Sequence, residues 1–229
     1  IDTISNYIWS FGDLTTSTDE NPFHVYADTG SYTVTLTAIA PVDCENSISQ
    51  FISVIPGPTA TFTFNNVCLN GTTTFNPSVT TPPGTQIDSM FWDFGDGTTF
   101  TGLTSPGHIY QAPGSYFVQM TAYNDIQCTG SFADTVVVYP LPQASFVTTN
   151  LCSGSSVIFD GTSSMVTGDS LTSWIWNFDG LGSASDSVAS FTFAQSGTYD
   201  VTLIAGTIHG CTDTVVNPVI ILQAPDFDF

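Results

Sequence analysis

One motif returns at near-constant intervals, and it constrains this chain more than any other feature. Trp9-Ser-Phe-Gly-Asp13 is followed by Trp92-Asp-Phe-Gly-Asp96 and then by Trp176-Asn-Phe-Asp-Gly180, with almost equal steps between them. Two other marks keep the same step. Gly30-Ser-Tyr32, Gly114-Ser-Tyr116 and Gly197-Thr-Tyr199 each open a Thr/Val-rich run, and Cys44, Cys128 and Cys211 each follow that glycine at the same distance. Self-similarity at a fixed period marks a tandem array in which each copy is one structural unit. Proline-rich joints at Pro56-Gly57-Pro58, Pro140-Leu141-Pro142 and Gln223-Ala224-Pro225 divide the array into repeats at 1–56, 57–140 and 141–223, with 224–229 opening another. Such joints are short and stiff. The first repeat is entered just before its Trp strand. Either a preceding stretch of the chain or a strand donated by a neighbouring copy would complete it.

Inside a repeat the apolar period is two. Tyr116, Val118 and Met120 alternate with Phe117, Gln119 and Thr121, and Tyr199, Val201 and Leu203 repeat the pattern. This alternation is that of half-buried strands. Gly, Pro, Asn and Asp break the runs every eight to twelve residues or so, as in antiparallel two-sheet sandwiches. Strands are expected over 59–64, 72–76, 86–94, 98–101, 107–110, 115–123 and 133–139. The expected class is therefore all-β: tandem immunoglobulin-like sandwiches in a rod-like array.

Charge removes whole classes of function. The chain has no Lys or Arg and 20 acids, a formal charge of -20. Phosphate-tracking grooves, Schiff-base lysines and arginine clamps all need a cation that is missing here. Nucleic acid and anionic membrane surfaces are thus excluded as partners, and no apolar run approaches the roughly 20 residues that span a bilayer. With 41% hydrophobic and 13% aromatic residues, the chain still has enough apolar area to fold.

The repeat also organises the five cysteines. Cys68 and Cys128 open and close the second repeat, and Cys152 and Cys211 open and close the third at almost the same separation. Disulfides Cys68–Cys128 and Cys152–Cys211 are expected, with Cys44 paired to a cysteine upstream of Ile1. Stable disulfides imply an oxidising, extracytoplasmic compartment. No Cys/His cluster has zinc-ligand spacing.

The run Trp92-Asp-Phe-Gly-Asp-Gly97, then His108-Ile-Tyr110 and Gly114-Ser-Tyr116, resembles the PKD (polycystic kidney disease) domain, an immunoglobulin-like module. The first copy keeps Trp9-Ser-Phe-Gly-Asp13, His24-Val-Tyr26 and Gly30-Ser-Tyr32. The third diverges, with Thr192 expected at the His position. Paired cysteines and Pro joints are similar to PKD arrays in giant surface proteins of gliding Bacteroidota, exported by the type IX pathway as adhesins or filaments. The resemblance implies an extracellular, non-enzymatic spacer or adhesive stalk used in surface attachment or gliding motility. It equally suits an accessory region of a large secreted hydrolase that engages substrate. Partners implied are other repeats of the same chain, a homo-filament, or surface polysaccharide and protein ligands.

Trp9, Trp92 and Trp176, with Phe11, Phe94 and Phe178 two positions on, are expected to pack the core. Tyr32, Tyr116 and Tyr199 resemble the corner tyrosine of sandwich folds, whose hydroxyl seeks a backbone partner. His24 and His108 occupy equivalent positions and lack a neighbouring nucleophile, so a hydrogen-bonded structural role is expected; His209 has no counterpart. Carboxylates uncontested by cations raise the prospect of Ca2+ at Asp93, Asp96, Asp179, Asp226 or Asp228, against a diffuse ion atmosphere. Asn70 lies in an N-glycosylation triplet. Thr3, Ser89, Thr135, Ser170, Ser187 and Thr214 lie in Asp-Ser/Thr-apolar triplets similar to the O-glycosylation motif of Bacteroidota. Phe91, Phe100 and Trp174 are further candidates, as carbohydrate platforms.

Overall fold

The computed structural model describes residues 4–41 and 44–224. They form strands and turns without a helix, in five sheets. The first sheet holds β1 (Asn6–Ser10), β2 (Thr16–Ser17), β3 (Gly30–Ile39) and β4 (Glu45–Val54), in the order β2-β1-β3-β4. The second repeat contributes β5 (Thr59–Phe64), β6 (Val67–Cys68), β7 (Thr73–Thr80), β8 (Ile87–Asp93), β9 (Thr99–Gly102), β10 (Gly107–His108), β11 (Gly114–Asn124) and β12 (Thr129–Tyr139). These make one sheet of order β10-β7-β5 and another of order β6-β12-β11-β8-β9. The third contributes β13 (Val147–Thr149), β14 (Ser156–Asp160), β15 (Leu171–Phe178), β16 (Ser183–Ala184), β17 (Val188–Thr192), β18 (Gly197–Thr207) and β19 (Thr212–Ile221). Its sheets are β13-β14-β17 and β16-β15-β18-β19. The chain divides into two units, residues 1–60, 79–90 and 121–131, and residues 61–78, 91–120 and 132–229, a division that runs across strands of the second repeat.

Alternation explains the cores. In the third repeat one face of each strand turns inward, so Phe146, Val157, Phe159, Trp176, Phe178, Val201, Leu203, Val219 and Ile221 form one buried cluster. Trp176 lies at its centre, its ring centroid 5.3 Å from Phe146 and 5.8 Å from Phe159. Trp92 repeats this among Phe62, Phe75 and Phe94. Both indoles are fully buried. The first sheet differs: Ile52 is 40% exposed where the equivalent Val136 and Val219 are 0% and 5%. In the third repeat the covering sheet comes mostly from strands that precede the Trp strand. The described residues of the first repeat contain no such strands, so Trp9, Leu36 and Ile52 line an open apolar face.

Candidate functional site at the turn motif and repeat junction

The turn after each Trp strand is held by its own side chains. In the second repeat, Asp93 Oδ1 accepts the Gly95 amide at 2.9 Å, and Asp96 Oδ1 accepts the Thr98 amide at 3.0 Å and its hydroxyl at 2.6 Å. Gly95 is required, because its φ is +78° and a Cβ there would stand 2.5 Å from the Phe117 carbonyl. The other oxygen of Asp96 meets His108 Nε2 at 2.7 Å. The imidazole lies flat on Phe94, 4.2 Å between centroids, with its neighbour Tyr110 edge-on at 4.5 Å and Tyr110 stacked on Tyr116 at 4.0 Å. Tyr110 donates to the Phe94 carbonyl at 3.1 Å and Tyr116 to that of Ala112 at 2.7 Å. The first repeat copies the column with Phe11, His24, Tyr26 and Tyr32, and Asp13 takes the place of Asp96.

In the third repeat the column is Phe178, Phe191, Phe193 and Tyr199. Phe191, not Thr192, therefore stands where the histidine would be. One full period on from His108 falls on Thr192, but the stretch that follows the Trp turn is one residue shorter here than in the second repeat, as it also is between Trp9 and His24, so counting by whole periods lands on the opposite face of the strand. An apolar ring stacks as well as imidazole, and no carboxylate is then needed beside it. Gly180 stands at the position of Asp96, and Asn177, at the position of Asp93, accepts the Gly180 amide on its Oδ1 at 2.7 Å.

These contacts account for the carboxylates. Burial pushes the Asp96 acid up, but bonds from Thr98 and His108 outweigh it and hold the carboxyl below its usual value. Asp13, bonded first by the Thr15 hydroxyl, lies at about 2. A carboxyl depressed by folding stabilises the fold above its ordinary range, and that contribution is lost as pH falls through the folded value. Asp96→Asn is therefore expected to cost at most about 1 kcal/mol at neutral pH and to flatten the acid limb of the stability curve. Urea midpoints taken from neutral to acid pH check this; an unchanged acid slope would contradict it.

Among the described residues no three His, Cys, Asp or Glu side chains gather within reach of one metal ion. Asp179 is exposed at φ +55°, and Asp226 and Asp228 lie outside the described residues. Asn70, Thr135, Ser170 and Thr214 are exposed, Ser89 and Ser187 half-buried, and Thr3 lies outside the described residues. Phe100 and Trp174 are half-buried, and the Trp174 indole donates to Gly161 at 3.1 Å.

The cysteines depart from expectation. Cys68 is bonded to Cys211, with Cα atoms 5.6 Å apart and a sequence separation of 143. Cys44, Cys128 and Cys152 are thiols. The expected pairs within each repeat, Cys68–Cys128 and Cys152–Cys211, do not form. Strand length explains this: Cys211 stands immediately before β19, whereas Cys152 bridges Leu222 immediately after its end. A β19 of 10 residues in extended form places the two roughly 33 Å apart, against the 7 Å or so that a disulfide tolerates. Cys128 and Cys68 are placed alike, one before β12 and one opposite its last residue, Tyr139. The bond instead ties the opening of the second repeat to the β18–β19 hairpin of the third.

Beside it, His209 stacks on Tyr139 at 3.9 Å, and its Nδ1 meets the Asp169 carboxylate at 3.1 Å. This explains the histidine that has no counterpart elsewhere. Its sequence signal was position alone, just ahead of a hairpin cysteine.

Alternating sheets, a capped turn behind a buried Trp and a covalent tie between successive copies define a chain of repeated immunoglobulin-like units. The chain belongs to the PKD domain family, which matches it at residues 1–55, 56–140 and 137–221. It is 59% identical over 34 residues to collagenase ColA of Bacillus cereus, 15% of this chain and 4% of that protein. It is 38% identical over 68 residues to a microbial collagenase of Vibrio alginolyticus, 30% of this chain and 8% of that protein. Among solved structures, the PKD1 domain of Vibrio anguillarum Epp is 25% identical, with a TM-score of 0.34, covering 37% of this chain and 96% of that domain. The chain thus spans a small part of the curated relatives it matches. No helix among the described residues is long and apolar enough to cross a membrane.

Proposed function

We propose that this chain is a spacer in a large extracellular surface protein or filament, holding a binding element away from the cell for adhesion or gliding. The observation that carries the reading is the Cys68–Cys211 bond, which joins two successive repeats covalently where a Pro joint alone would leave them linked by backbone only. A disulfide also supports an oxidising, extracellular location, reached in this reading by type IX export. No Lys or Arg offers a cleavage point to trypsin-like proteases, which suits an exposed fibre. The reading is non-enzymatic and needs no cofactor.

A second reading rests on the identity to the two collagenases: an accessory region that presents substrate to a catalytic domain elsewhere. Sedimentation of the purified chain with insoluble collagen and with cell-surface polysaccharide separates the two. The spacer reading expects no saturable binding to either. Saturable binding to collagen would replace it with the accessory reading.

A further inference from the structure

Three of the five cysteines are thiols, yet each stands where its repeat equivalents set the geometry of a bond. Cys211 closes its hairpin through two contacts with Thr207, one turn earlier in the chain: the Thr207 amide donates to the Cys211 carbonyl at 2.9 Å, and the Cys211 amide donates to Thr207 Oγ1 at 3.2 Å. Cys128 does the same with Asn124, at 3.1 and 2.8 Å. The opening cysteines match as closely. Cys68 pairs in parallel with Tyr139 and the next amide, Leu69, donates to the Tyr139 carbonyl at 2.8 Å; Cys152 pairs in parallel with Leu222 and the Ser153 amide donates to the Leu222 carbonyl at 2.8 Å. Cys152 is exposed and Cys128 half-exposed, so neither is sealed in a core.

We propose that Cys68–Cys211 is one link of a repeating series, in which the opening cysteine of every repeat is bonded to the hairpin cysteine of the next. Cys128 then takes the opening cysteine of the repeat before it, and Cys152 takes the hairpin cysteine of the repeat after its own, each at the sequence separation of 143 that the observed bond has. Cys44 takes an opening cysteine one repeat earlier still. Each bond forms by thiol–disulfide exchange: two thiols give up two protons and two electrons to a protein disulfide of the extracytoplasmic space, which leaves as a dithiol. Links that start once in every repeat and each reach into the next overlap, so the shortest covalent path through an oxidised array uses roughly one residue in seven. The series is a covalent ladder that limits extension even after the repeats unfold. It stands whether the array serves as a spacer or as an accessory region.

The test is disulfide mapping of the intact native protein, alkylated with N-ethylmaleimide without reduction and digested with pepsin, since trypsin has no site in this region. Beside Cys68–Cys211, Cys128 is expected in a linked peptide with an upstream cysteine and Cys152 with a downstream one, both at the separation of 143 seen in the observed bond. N-ethylmaleimide on Cys128 or Cys152, pairs within a repeat, or Cys128 joined to Cys152 between copies would each overturn the proposal.

Discussion

Stretched from its two ends, the oxidised chain should reach a contour length roughly 500 Å shorter than the reduced chain, since the Cys68–Cys211 bond takes a span of 143 out of the force path and a fully extended residue covers about 3.4 Å. Optical tweezers with and without a phosphine reductant read the difference directly. Cys68→Ala should show the long contour in both conditions and remove the dependence on reductant. Equal contours for the oxidised and reduced wild type would mean that the two repeats are not bonded. The physical consequence is large because the bond acts on the unfolded chain. Folded repeats resist tension only until they open, whereas a disulfide between repeats holds after both have unfolded.

Trp176→Ala should destabilise the third repeat by about 3–5 kcal/mol, the cost of deleting a large aromatic from a packed core. Against the roughly 5–15 kcal/mol typical of a domain, this leaves little or no margin. Trp176 is fully buried, packs on Phe146, Phe159 and Phe178, and its indole donates to the Asp186 carbonyl at 2.8 Å. In a chain limited to residues 1–229 the same change at Trp9 should cost under about 2 kcal/mol, since among the described residues that indole is only half-buried and borders an open face. Guanidinium unfolding of the two variants, followed by far-ultraviolet circular dichroism, gives the comparison. Equal losses at both positions would show that the first sheet is packed as tightly as the third repeat.

The strands of the second repeat show how far alternation carries. Strands expected over 59–64, 86–94 and 115–123 are found as Thr59–Phe64, Ile87–Asp93 and Gly114–Asn124, because a sustained in-out pattern reports burial directly. Val67–Cys68 was not legible, since so short a strand carries no period, and it is this strand that places Cys68. The all-β class and the role of glycine in the Trp turn could be read from residue order. The aromatic column could not, because Phe94, His108, Tyr110 and Tyr116 meet only when two sheets face each other.

What residue order determined by itself is the repeat, its period and the face each side chain takes, since these follow from local alternation and turn chemistry. Which cysteine meets which was decided only in three dimensions. Nearly equal separations of the two cysteines in successive repeats made a bond within each look natural, but the long strands β12 and β19 hold those sulfurs at opposite ends. Because each repeat places its opening and hairpin cysteines at opposite ends, Cys68 meets the partner that the next repeat supplies. Periodicity reports which side of a sheet a residue occupies, and the length of the intervening strand decides how far apart two such residues stand.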